Sequence, residues 1–327
     1  MIILGENYKV VDTFDVDMTV PDCFVFPKNK LGKGNGEAKL YVSSKDTMRA
    51  FYGGEGFAAK CFLLKEDLKQ YMNAVRHEYF NPTYEYRGKD VMRDLWEERM
   101  NEIQLLDDII FFTVYDQDQI GGPRGYVNSD DYAYQLIREI SLPLISYISV
   151  MKVSPAPGTT LHYWKLFVDY TQLDPENALV FNYGKGKAEE EGAIKKQIKV
   201  DKEINRARIG QGKYREKLLE ECIFCPITLI LEEKLLIASH IKPWAVSNEK
   251  EKVDPKNGFL LSPLYDRLFD QGFITFTDDK KMLVSDWLNK TNQKRIGLVS
   301  GKQYPKLPID EQRMHYLEYH RSIVYKG

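Results

Sequence analysis

One C-terminal stretch constrains this chain more than any other: Ala238-Ser239-His240-Ile241-Lys242-Pro243-Trp244, then Asn257-Gly258, then Leu264-Tyr265-Asp266-Arg267-Leu268-Phe269-Asp270-Gln271-Gly272. It reads as a strand ending in a histidine, a turn carrying an asparagine, and a helix bearing carboxylates at i and i+4. Residues four apart share a helical face, so Asp266 and Asp270 can reach one ion together. Imidazole titrates near neutrality, which suits His240 to take a proton from water. One metal ion and one general base are the chemistry this stretch can hold.

The rest of the chain has to be read around that site. At 327 residues it is about twice the usual domain length, which predicts two domains. It has no run of roughly 18 apolar residues and no N-terminal basic region followed by an apolar core, so a soluble, cytoplasmic protein with no membrane partner is expected. Four cysteines, Cys23, Cys61, Cys222 and Cys225, are too few and too unevenly spaced for a disulfide framework. The net charge of -2 does not announce a polyanion binder, but the basic residues are unevenly placed.

From the N-terminus, Lys9-Val10-Val11, Cys23 to Pro27 and Ala38 to Val42 predict strands. The basic, glycine-rich run 30–36 lacks the Gly-Lys-Ser/Thr ending of a P-loop and reads as a hairpin tip. Pro21-Asp22 with Glu37-Ala38-Lys39 matches a loose acid-acid-lysine pattern that arises often by chance. Leu64, Leu68, Tyr71, Met72, Val75 and Tyr79 form one helical stripe, and Val91, Leu95, Trp96, Met100 and Ile103 another. His77 falls near a helix end as a solvated residue. Ile109 to Tyr115 predicts a buried strand, residues 116 to 131 a polar loop, Tyr132 to Ser141 a helix ended by Pro143, and Leu161 to Val168 a further strand. The aromatics Phe51, Tyr52, Phe57, Tyr84, Tyr86, Tyr126, Tyr163, Trp164 and Tyr170 suit ordinary packing, with base stacking as the functional alternative.

Residues 184–192 read as an exposed linker and set a domain boundary near 190. Beyond it, Lys195-Lys196 and the run Arg206-Ala207-Arg208 to Lys213-Tyr214-Arg215 concentrate basic residues as nowhere else. Such a cluster suits phosphate contact.

Several separated motifs now stand in order: Arg208 to Arg215, Cys225-Pro226-Ile227-Thr228, Ala238 to Trp244, Asp254 to Gly258, Leu268 to Gly272, and Tyr316 to Arg321. Together they resemble the HNH endonuclease domain of the ββα-metal superfamily, in the branch found among restriction endonucleases. The resemblance covers over a third of the chain. With the strand and helix pattern of the N-terminal part and the boundary near 190, an α+β protein is expected: a mixed α/β recognition or regulatory domain at 1–190 and, as the resemblance implies, a ββα-metal nuclease domain at 191–327 that begins with a basic linker helix.

The resemblance implies metal-dependent hydrolysis of DNA, with His240 as general base, Asn257 holding the loop and the orientation of the base, and Asp266 and Asp270 as metal ligands. Some relatives place a metal-binding Asp or His immediately before the base, where this chain has Ser239, a weak ligand. An oxygen-rich, incomplete set favours one Mg²⁺ or Mn²⁺ completed by water and phosphate. Cys222 and Cys225 form a single C-x-x-C without the second pair that a structural zinc needs. Arg206, Arg208, Lys213, Arg215, Lys242 and Arg267 are the candidate DNA contacts. The metal is implied to bridge the scissile phosphate and the leaving 3′ oxygen, giving 5′-phosphate ends. Cutting two strands suggests a homodimer. The implied setting is restriction or another antiphage defence, through a target sequence or a modified base. The alternatives are a signal-activated, indiscriminate nuclease and a degenerate module that only binds DNA; the presence of His240, Asn257, Asp266 and Asp270 argues against the last.

Overall fold

The computed structural model describes residues 1–14, 17–22, 24–27, 38–86, 88–117, 122–170 and 214–327. The expected glycine-rich tip, the acid-acid-lysine pattern at Glu37, Cys23, the linker near 190, and the basic residues Arg206, Arg208 and Lys213 lie outside the described residues. The chain divides into two compact units, Met1–Val168 and Asp169–Gly327. Helices and sheets occur in both, so the α+β class stands. No described helix is long and apolar enough to cross a membrane.

Unit 1 begins with β1 (Ile2–Ile3), β2 (Glu6–Asn7), β3 (Lys9–Thr13), β4 (Met18–Thr19), β5 (Leu40–Ser44), α1 (Lys45–Tyr52) and β6 (Ala58–Leu64). It continues through α2 (Lys65–Ala74), α3 (Arg76–Phe80), α4 (Met92–Gln104), β7 (Ile109–Asp116), β8 (Arg124–Asn128), α5 (Tyr132–Ile140), β9 (Ser146–Ser154) and β10 (Leu161–Val168). One sheet runs β3-β9-β10-β6-β7-β8-β5, with β4 also on β9, and only β10 and β6 pair in parallel. The fully buried Trp164 lies at its centre, with the Phe112 ring against it at 5.3 Å.

Here the structure corrects several expectations. Phe24–Pro27 is not a strand: Val25 has φ +66°, and its N–H donates to Arg138 O while its carbonyl accepts from Arg99. The helix expected over Leu64–Tyr79 is two helices broken at Val75. The polar loop contains β8, and the unexpected β6 and β9 are central to the sheet. Phe51, Tyr52, Phe57, Tyr86, Tyr163 and Trp164 are buried in the core, in line with the ordinary packing expected of them rather than base stacking.

Unit 2 contains α6 (214–221), β11 (Ile237–His240), β12 (Gly258–Leu261), α7 (Pro263–Asp270), β13 (Ile274–Phe276), β14 (Met282–Val284), α8 (Lys290–Ile296) and α9 (Glu311–Tyr319). A π-turn, His320–Val324, follows. β11 and β12 are antiparallel, with His240 opposite Gly258. Pro263 at the first turn, where a missing N–H costs nothing, starts α7. Gly272, at φ +67°, ends it where a Cβ would lie 2.0 Å from Val324 O. Leu268 and Phe269 turn inward with Phe259, Leu261, Ile274 and Phe276, which leaves the polar side of α7 for Asp266 and Asp270.

His320, at the start of the π-turn, is buried against this core. Its Nε2–H donates to Phe269 O at 3.1 Å, so Nδ1 accepts from Thr275 Oγ1 at 2.9 Å, and the ring stacks on Phe269 at 3.9 Å. Burial pulls its pKa down to about 3. An unfolded histidine titrates near 6.5, so this site favours folding fully above pH ~6.5 and loses that contribution as pH falls toward 3, by up to about 1.4 kcal/mol per pH unit. Thermal melts of the wild type and His320→Phe between pH 7 and 4.5 are expected to show a shallower decline in the variant. Parallel declines would remove His320 as the source.

Candidate active site

β11 delivers Ser239 and His240, and α7 delivers Asp266 and Asp270. The loop between β11 and β12 folds through three short 3-10 turns, 244–246, 251–253 and 255–257, and determines where the imidazole points. His240 is half-buried, and its Nε2 lies 3.0 Å from Lys252 O. A carbonyl only accepts, so Nε2 carries the hydrogen and Nδ1 holds the lone pair of the neutral ring. Among the described residues Nδ1 has no hydrogen-bond partner. Burial lowers the ring's pKa to about 4, partly offset by the Lys252 carbonyl, so at neutral pH it is an uncharged base. The Lys252 ammonium is itself anchored, over the Trp244 ring at 4.0 Å and against Glu249 at 2.8 Å.

Asn257 is fully buried and clasps the same loop. Its Oδ1 accepts from Lys242 N at 2.8 Å, and its Nδ2 donates to Lys242 O, Glu251 O and Ser247 Oγ at 3.2, 3.1 and 3.3 Å. The side chain is used up on backbone and hydroxyl groups of the loop that carries the Lys252 carbonyl. Leaving buried donors and acceptors of this kind unpaired costs about 1–3 kcal/mol each.

Ser239 is buried, and its hydroxyl donates to Asp270 Oδ1 at 3.3 Å. Burial pushes the Asp266 carboxyl up to about 6; the Ser239 hydroxyl, whose single proton can serve either Asp270 or Asp266, and the nearby Arg267 charge pull it down. Asp266 Oδ1 is buried without a hydrogen-bond partner. An orphaned carboxylate oxygen near a second carboxylate and a hydroxyl is a donor set that suits a divalent cation. Asp266, Asp270 and Ser239 therefore fit one oxygen-ligated ion. Among the described residues no group of three or more His, Cys, Asp and Glu is arranged for a metal. Cys225 is buried in the core, and the Cys222 thiol donates to Phe224 O at 3.2 Å.

The candidate DNA contacts separate. Lys242 pairs with Glu251 at 2.7 Å, which commits its charge inside the loop. Arg215 donates to Leu236 O and Glu233 O, both at 2.7 Å, fastening α6 to the segment entering β11. Arg267 is exposed on α7.

Residues 222–277 match the family model described as HNH endonuclease. This match supports an HNH domain at the C-terminus. The matched segment holds β11, β12 and α7, hence Ser239, His240, Asn257, Asp266 and Asp270. No curated protein matches the chain.

Some residues important to the domain gave no separate signal in the sequence. Arg313, 1% exposed, lies outside the matched segment, and its guanidinium donates to Gly258 O and Pro255 O, each at 3.2 Å, and to Asp310 at 3.1 Å. It braces the turn on either side of Asn257 from 55 residues away. Lys252 contributes through a backbone carbonyl, which every residue possesses. Tyr214 and Gly258 fall within sequence motifs, but their mutual fit depends on the fold.

Proposed function

We propose that this chain is a metal-dependent DNA endonuclease with His240 as general base, serving restriction or a related antiphage defence, and that unit 1 directs it to a sequence or a modified base. The observation supporting this most is the pinned imidazole: Nε2–H is committed to Lys252 O, which leaves Nδ1 as the proton acceptor of a ring kept neutral by burial. Nδ1 takes a proton from water as the water oxygen forms a bond to phosphorus, and the bond from phosphorus to the 3′ oxygen breaks. Asn257 keeps the 242–251 loop closed, so the imidazole does not have to reorganise during the reaction. Asp266 and Asp270, aided by Ser239, hold one Mg²⁺ or Mn²⁺. When bound, the ion supplies positive charge to the phosphate and the departing oxygen.

The test is incubation of the full chain with unmodified and base-modified plasmids, with Mg²⁺, Mn²⁺ or chelator, followed by mapping of the ends. Ion-dependent cuts with 5′-phosphates are expected. Cutting confined to modified DNA would assign unit 1 as a modification reader, and no cutting under any condition would sink the reading.

A further inference from the structure

We propose that Tyr214, which lies outside the segment matched by the HNH model, is a positioning residue that holds the His240 imidazole in register for proton transfer. This rests on the reading of His240 as the base. The Tyr214 and His240 rings stack with centroids 4.1 Å apart and planes 13° from parallel. The Tyr214 hydroxyl donates to Asn257 O at 2.9 Å, with Ser239 O at 3.3 Å, so one buried phenol spans the two strands where His240 faces Gly258. Gly258 makes room for it: a Cβ there would lie 1.8 Å from the Tyr214 hydroxyl oxygen and 2.9 Å from Leu218. The "NG" pair thus combines an asparagine that closes the loop with a glycine that admits the phenol.

The physical need for such a residue follows from the hydrogen bonding of His240. A single bond, Nε2 to Lys252 O, fixes one end of the ring but leaves rotation about that bond, and Nδ1 swings with it. A parallel aromatic plate at van der Waals distance removes that rotation. Burial raises the Tyr214 pKa well above its usual value, so the hydroxyl stays a donor at neutral pH. Since α6 carries Tyr214, the working nuclease site includes α6 as well as the two strands and α7.

The test uses full-length wild type, Tyr214→Phe and Tyr214→Leu, with DNA cleavage kinetics and NMR of chains labelled at histidine. Misplacing a reacting group by about 1 Å can cost about 10²-fold in rate. Tyr214→Leu is therefore expected to lower kcat about 100-fold with KM within about twofold, and Tyr214→Phe, which keeps the plate, to recover to within about tenfold of wild type. The His240 ring protons, assigned by their loss in His240→Asn, should be shifted upfield by the stacked ring in wild type and Tyr214→Phe, and return downfield in Tyr214→Leu. Unchanged kcat or unchanged His240 shifts in a folded Leu variant would overturn the proposal. Should the Leu variant lose the dispersion of the other four histidine signals, the Phe variant decides: a hundredfold loss of kcat with the ring still present overturns it. A wild type that cuts no DNA would fail the nuclease reading, while the shifts would still report on the stack.

Discussion

His240→Ala is expected to lower single-turnover DNA cleavage by about 10²–10⁴-fold, the range that a positioned general base contributes, with DNA affinity changed only a few-fold. The imidazole is the group whose free nitrogen is held at the end of β11, and alanine leaves no acceptor there. The pH profile adds a second arm. Burial depresses the His240 pKa to about 4, so the neutral, proton-accepting form persists well below the ordinary histidine range. At saturating Mg²⁺ the rate should hold until pH approaches about 4 and then fall. At limiting Mg²⁺, protons compete for Asp266, whose carboxyl is raised to about 6, and the decline should begin near that pH. Cleavage at the wild-type rate by His240→Ala would exclude it as the base, and an acid limb near 6.5 that ignores the ion concentration would exclude this division of roles.

Asp266→Asn is expected to make the ion-free protein more stable while abolishing ion-dependent cleavage. In the wild type the buried carboxylate has an unpartnered Oδ1, and its raised pKa means that ionisation opposes folding. The folded form holds its proton to about pH 6 and the unfolded chain only to about 3.8, so the penalty is absent below ~4, grows between, and is complete above ~6. A shift of this size corresponds to on the order of 3 kcal/mol. Asparagine has nearly the same shape and no charge. Melting in chelator at pH 7.5 should therefore favour Asp266→Asn, and the advantage should disappear near pH 4. The wild type should recover on adding Mg²⁺, since a ligand at a hundred times its Kd contributes about 2.7 kcal/mol. A variant that melts below wild type in chelator, or that keeps the full response to Mg²⁺, would remove Asp266 from the ion site.

Local order carried much of unit 2 into the sequence. The i, i+4 carboxylates, the Ser262-Pro263 start and Gly272 end of α7, and a histidine at the close of a short strand are all short-range features, and strand and helix periods are local properties of the chain. In unit 1 the periodicity located β7, β10, α4 and α5 for the same reason. β6 and β9 escaped because strands in the middle of a sheet are set by their neighbours, and the order β3-β9-β10-β6-β7-β8-β5 joins segments far apart in the chain.

The sequence by itself singled out the residues proposed to do the chemistry: His240, Asn257, Asp266 and Asp270, and the weak Ser239 beside them. Only the tertiary structure decided how they are held. It committed Lys242 to Glu251 and Arg215 to backbone carbonyls, brought Arg313 to the carbonyl of Gly258, and laid the Tyr214 ring on His240. These are contacts between distant residues or with backbone oxygens. A carbonyl is present at every position, and its use depends on where the folded chain places it.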